Sequence, residues 1–383
     1  MDQIELIPAL GGRQSPEDRR DIPFAAVAPA IAEVLPDSYK PAWLDQLPIW
    51  YQRKLGACVG HAWAKARQKT ELQETKRLVP ISARFLYALA KSKDGVPGDS
   101  GTYPRLVAKI LKTYGVCTEL TFPNDTTLPF EEYVDVSKIP QAAYDEAKPY
   151  AIDGYSFVNA QDLNELKRAI IYSGENLQDI VMLVDVGKEW YTRADGQISW
   201  LASDILPLRP PVQVISGHEI YPTHFEKDPA NGKTKIWHIN SWSADWGDHG
   251  KGWFYYEDYA LHIKEVMVAI DIPANVLDAV KKLPSKETFT HAFTRDIEQG
   301  ERSDEVIALQ SALMLDGEFD RVLYTELLQT NELGYYKPGG VTQAAVLAFQ
   351  RKYKVASSNE LNILQGRRVG AKTRSKLNEL FNK

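Results

Sequence analysis

Two cysteines, Cys58 and Cys117, are spread over 383 residues. That is too few to staple a fold of this length, so each is either a small buried hydrophobe or a reactive thiol. Cys58 is the candidate for chemistry, and Cys117 is read as core. Cys58 opens a proline-free run of good helix formers, residues 58–78, which predicts a helix of about four turns with the thiol in its first turn. A thiolate rather than a thiol attacks a carbonyl, and both a helix N-terminus and a nearby imidazolium stabilise that charge and lower the thiol pKa. Such a thiol would serve covalent acyl-transfer chemistry. The chain has seven histidines. His61 falls one helical turn after Cys58 and is a rival base or, with Cys58, half of a metal site; a convincing third ligand is lacking, so neither a metal nor another cofactor is expected.

The elements that must position these groups follow from periodicity. After Cys58, residues 82–92 and 103–115 read as helices, the second with Leu106, Val107, Ile110 and Leu111 at helical spacing before Gly115. From residue 150 the pattern changes to strand-like runs at 150–158, 179–186, 211–225, 234–242, 250–259 and 265–272, interrupted by one helix at 164–174. His218 lies on one of these strands and Asn240 on the next. Residues 1–48 carry seven prolines and predict an extended, surface-wrapping arm. Residues 49–273 form the main domain, 274–300 a linker and 301–383 a helical module with expected helices near 304–315, 342–353 and 373–381.

A net charge of -6 disfavours a nucleic-acid partner, since phosphate neutralisation needs clustered Lys and Arg. No apolar run reaches membrane-spanning length and the N-terminal residues lack an export-signal pattern. Localisation is therefore open.

Three segments carry a resemblance. Gln52-Arg53-Lys54-Leu55-Gly56-Ala57-Cys58 ahead of a helix, Ser216-Gly217-His218-Glu219-Ile220 on a strand, and Ile239-Asn240-Ser241-Trp242-Ser243-Ala244-Asp245-Trp246-Gly247 together resemble the papain-like cysteine peptidases over about residues 15–272. The resemblance implies an α+β fold of two lobes, one helical and one β-barrel-like, with a peptide or protein substrate between them. It also implies a nucleophile at Cys58 with a lowered pKa, a base at His218, an orienting Asn240, an indole cover at Trp242 and an oxyanion donor at Gln52. The run Asp99-Ser100-Gly101-Thr102-Tyr103-Pro104 resembles the family's substrate-binding strand, with Gly101 and Thr102 offering backbone hydrogen bonds. The chain departs from the plant-type pattern at Leu55, Val59 and Ser243, and the spacing from Cys58 to His218 implies an insertion near 186–212. The N-terminal arm is a candidate restraint on the site.

In the last module, Leu309-Gln310, Gly334-Tyr335-Tyr336, Thr342, Ala345-Val346, Phe349-Gln350, Val369-Gly370 and Thr373 resemble a peptidoglycan-binding-domain-like three-helix bundle. That implies cell wall as a partner and an envelope or secreted setting. The leading expectation is a wall-directed cysteine endopeptidase of bacterial type; the rivals are a peptidoglycan stem-peptide hydrolase and a non-catalytic wall-binding protein on a degenerate scaffold.

Overall fold

The structure is a computed structural model that describes residues 9–16, 18, 21, 23–24, 35–195, 197–270, 289–318, 327 and 333–382. Contacts divide the chain into two units, Met1–Asp271 and Ile272–Lys383. Most of the expected linker, 274–288, lies outside the described residues.

In the first unit, helices α1 (Cys58–Thr75), α2 (Ala83–Lys91) and α3 (Pro104–Tyr114) pack together. Pro104 starts α3 where its missing N–H costs nothing. Lys76 in the left-handed region ends α1 by returning its N–H to the Leu72 carbonyl. Helix α1 is buried on every side from Cys58 to Leu72 although much of it is polar, so its polar groups need partners. Arg67 pairs with Glu71 at 2.9 Å and Asp179 at 3.6 Å. Gln68 donates to the Val79 carbonyl at 2.9 Å, and Thr70 donates to Asp179.

A mixed-length antiparallel sheet follows. Strands β1 (Ser38–Tyr39), β2 (Gly154–Phe157), β3 (Gln178–Val186), β4 (Ser216–Lys227), β5 (Thr234–Ile239), β6 (Lys251–Tyr255) and β7 (Ile263–Ile270) hydrogen-bond in the order β2-β7-β3-β4-β5-β6, with β1 on β4. Among the described residues this is an open path whose ends, β2 and β6, do not pair. The expected barrel is therefore not closed. Strand β3 is buried on both faces because α1 and α4 (Leu163–Glu175) both contact it, which explains its unbroken apolar run. Both α1 and α4 also contact β4, so the helix that begins at Cys58 lies against the strand that carries His218.

The second unit has the expected helices α5 (Asp304–Asp316), α6 (Val341–Lys352) and α8 (Ala371–Phe381), and adds α7 (Ser358–Leu364) and a ladder of β8 (Ile297–Glu298) with β9 (Arg368–Val369). Residues 289–300, expected to be linker, belong to this unit. Phe293 is buried, and the His291 N–H meets the Phe381 carbonyl. Gln310 donates to Thr342 Oγ1 and accepts the Gly334 N–H. Gln350 likewise bridges the Arg368 carbonyl and Thr373 Oγ1. The glutamines and threonines that carry the sequence resemblance here are thus internal ties between one helix and the start of a later one.

Lys69 is fully buried and its ammonium donates to the carbonyls of Ser173 at 2.7 Å, Asn176 at 3.3 Å and Gln178, closing the C-terminal end of α4. Replacing it with methionine strands those carbonyls. Lys69→Met is expected to destabilise the first unit by about 2–4 kcal/mol, seen as a lower urea midpoint; an unchanged midpoint contradicts this account of α1.

Candidate active site

Cys58 is the first residue of α1 and is fully buried. Its sulfur takes backbone N–H groups from Val59 on its own helix, from Glu219 on β4 and from Gly11 on the N-terminal arm. His218 is one residue before Glu219. Its Nε2 lies 2.7 Å from Asn240 Oδ1, and that same oxygen accepts the Ser241 N–H at 2.7 Å. The second bond fixes which end of the Asn240 amide faces the ring. Because an oxygen faces it, His218 Nε2 must carry the proton, which leaves Nδ1 as the lone-pair nitrogen of the neutral ring. Nδ1 is buried and has no hydrogen-bond partner among the described residues.

Aromatic side chains wall off this pair. Trp242 is fully buried with its ring 4.8 Å from that of His218. Trp190 stands in the 187–215 connection that fills the expected insertion, 6.1 Å from His218 and 6.0 Å from Trp242. Gln52 is tied to the same region through its N–H on the Ser241 carbonyl.

The arm enters this site. Gln52 Nε2 donates to the Ala9 carbonyl at 2.8 Å as well as to that of Leu55 at 2.9 Å. Gly12 donates to the Gly217 carbonyl at 2.9 Å, Thr102 donates to Gly11 at 2.9 Å, and Arg13 donates to Thr102 at 3.0 Å. Thr102 therefore carries both backbone bonds to an extended peptide, and that peptide is the chain's own. Gly101 contributes space: at φ +75° a side chain there would overlap the Gly11 carbonyl. Space is equally tight on the arm, where a Cβ on Gly11 would overlap the Gly56 carbonyl and one on Gly12 would overlap Leu183.

Burial reverses the expected electrostatics. Burial pushes the Cys58 thiol up to about 12, against the three N–H donors that favour its charge. Burial holds His218 down to about 4, against its bond to Asn240. With the arm in place the pair is a neutral thiol and a neutral imidazole, not the lowered-pKa thiol that the sequence suggests. Other histidines are accounted for separately. His61 bonds the Ala57 carbonyl at 2.9 Å and faces Asn124 at 3.3 Å, and no metal-holding cluster exists among the described residues. His238 stacks on Trp190 at 5.4 Å. Cys117 is buried. Sequence reasoning missed Gly11, Gly12 and Trp190. The adjacent glycines in a proline-rich arm were the available signal for the first two, and nothing distinguished Trp190.

Comparison with solved structures fits this geometry. The chain matches xylellain, a cysteine protease from Xylella fastidiosa, with a TM-score of 0.56 and 21% identity over 69% of this chain and 96% of that one. The fold is papain-like. A second papain-like neighbour, procathepsin B S9 from Trypanosoma congolense, gives 0.50 and 17% identity over 69% of this chain and 87% of that one. No protein-family model matches the sequence, and no curated protein is similar to it. In both structural matches the shared part is about two thirds of this chain, which is the size of its first unit.

Gly11→Val places a branched side chain against the Gly56 backbone and must lift the arm. The expected result is at least a roughly tenfold faster iodoacetamide alkylation of Cys58 at neutral pH, with the pH midpoint of alkylation moving down to about 8.5 or below. An unchanged rate and midpoint contradict a thiol masked by the arm.

Proposed function

We propose that the chain is a cysteine peptidase held in check by its own residues 9–15. The observation that carries this reading is the convergence at one place of a thiol on the first residue of a helix, a histidine oriented by an asparagine, and a glutamine amide already holding a peptide carbonyl. When the arm leaves, His218 Nδ1 takes the Cys58 proton and the sulfur attacks the substrate carbonyl carbon. The oxyanion is received by Gln52 Nε2, which donates to the Ala9 carbonyl in the resting chain, and by the Cys58 N–H. The imidazolium returns its proton to the leaving amine, giving a thioester. Water, deprotonated by His218, then releases the acid. Asn240 keeps the ring in the tautomer that this requires, and Trp242 keeps water from their bond.

The arm is placed to inhibit rather than to be cut. The carbonyl on Gln52 belongs to Ala9, whereas the group facing the sulfur is the N–H of Gly11, two residues away. The carbonyl held by Gln52 and the group at the sulfur thus come from different peptide units.

The sequence pattern of the second unit supports direction of this activity to bacterial cell wall, with one weak site concentrating the other. Cleavage of stem peptides in the wall itself is the alternative substrate reading, separated by product analysis. Full-length Cys58→Ala protein failing to pellet with purified peptidoglycan sinks the wall assignment and leaves the peptidase intact.

On a peptide substrate, in the Gly11→Val background, Cys58→Ala and His218→Ala are each expected to abolish measurable turnover. Gln52→Ala should lower kcat by about a hundredfold or more. Full turnover without Cys58 or His218 would show the scaffold to be degenerate for this chemistry.

A further inference from the structure

His61 has no part in the steps above, yet it is buried beside them, 1% exposed, one helical turn after Cys58. Its Nδ1 lies 2.9 Å from the Ala57 carbonyl oxygen, which also takes the His61 backbone N–H at 3.1 Å. A carbonyl oxygen has two lone pairs and nothing to donate, so Nδ1 carries the proton and both bonds are made at once. Nε2 is then the lone-pair nitrogen. It faces Asn124 Nδ2 at 3.3 Å, and the other end of that amide, Oδ1, accepts the Tyr133 hydroxyl at 2.6 Å. Tyr133 is itself buried in a cluster with Leu55 and Ala57. Burial holds His61 down to about 4, against its bond to the Ala57 carbonyl, which keeps the ring neutral and in this one tautomer at neutral pH. With its lone pair turned to Asn124, His61 is not a second base for Cys58.

The Ala57 carbonyl and the Cys58 N–H belong to one planar peptide unit and point in opposite directions. Whatever holds the oxygen therefore aims the hydrogen. Cys58 is the first residue of α1, so no carbonyl of that helix takes its N–H. Ala57 stands at the N-cap and has no polar side chain to fix the turn, which leaves that task to His61. A second hydrogen bond on the Ala57 oxygen also makes the Cys58 N–H a stronger donor, because linked hydrogen bonds polarise one another.

We propose that His61 is a positioning residue for the oxyanion site: its Nδ1–H holds the Ala57 carbonyl so that peptide unit 57–58 presents the Cys58 N–H to the substrate oxygen, and Asn124 fixes the tautomer. The inference rests on the peptidase reading for the reaction it serves, and its test separates the two.

In the full-length Gly11→Val chain, His61→Phe removes the donor and keeps a ring, whereas His61→Asn keeps an N–H near the place of Nδ1. On a peptide substrate His61→Phe is expected to lower kcat by about tenfold with KM within about twofold, and His61→Asn to regain most of that loss. Iodoacetamide alkylation of Cys58 is a displacement at a saturated carbon that forms no oxyanion, so its rate should stay within about twofold in both variants. An unchanged kcat overturns the proposal. So do kcat and alkylation falling together, since lost structure or lost thiol activation moves both. A second readout needs no turnover. The Cys58 sulfur adds to the carbonyl carbon of an N-acetyl dipeptide aldehyde, the thiol proton passing through His218 to the new oxygen, and protection from alkylation measures the affinity. His61→Phe is expected to weaken that affinity by about tenfold. Equal protection in the two chains overturns the proposal, and no protection in the parent overturns it together with the peptidase reading. The expected weakening with no peptide cut supports it and discards the peptidase reading instead.

Discussion

A buried sulfur keeps its proton unless hydrogen-bond donors and nearby positive charge outweigh the loss of water, and this balance at Cys58 is the constraint on which the rest of the structure depends. Helix α1 brings its N-terminus to strand β4, so that Val59 and Glu219 offer N–H groups to the sulfur while His218 is fixed one residue away. Holding that junction requires an unusually polar helix to be buried along most of its length. The pairs Arg67 with Glu71 and Asp179, and Lys69 with three carbonyls, are what make that burial tolerable.

The arm shifts the same balance the other way without any covalent change. It supplies a third N–H to the sulfur, yet the burial of Cys58 is the larger effect. Gln52, Thr102 and the Gly217 carbonyl are all engaged by residues 9–13. Glycines make the fit possible on both sides of the contact, Gly11 and Gly12 on the arm against Gly56, Gly101 and Gly217 on the body.

Much of this was legible in the sequence because it rests on local chemistry. The helix starting at Cys58, the six strand-like runs and the order of Gln52, Cys58, His218 and Asn240 are patterns of period, breaker and motif, and the elements stand where those patterns put them. What was not legible depends on pairing between distant segments. Thr102 outweighs Gly101 as a hydrogen-bonding partner because of where the arm runs. The thiol is raised rather than lowered because it is fully buried, which no property of the 52–58 motif announces. Arg67 and Lys69 of α1 are core because they meet Asp179 and the carbonyls of Ser173, Asn176 and Gln178, about a hundred residues away, a pairing that no local pattern announces. Helix α7 and the β8–β9 ladder are too short to show a period, and the ladder joins residues 297–298 to 368–369.

On the reading proposed above, His218 activates Cys58 once the cleft is open. Its most direct test is labelling with an epoxide inhibitor of cysteine proteases, applied to the Gly11→Val chain and to the same chain with Cys58→Ala or His218→Ala, followed by peptide mass mapping. A single adduct on Cys58, lost in both variants, is expected. An adduct on Cys117, or one on Cys58 that forms equally well without His218, would contradict it.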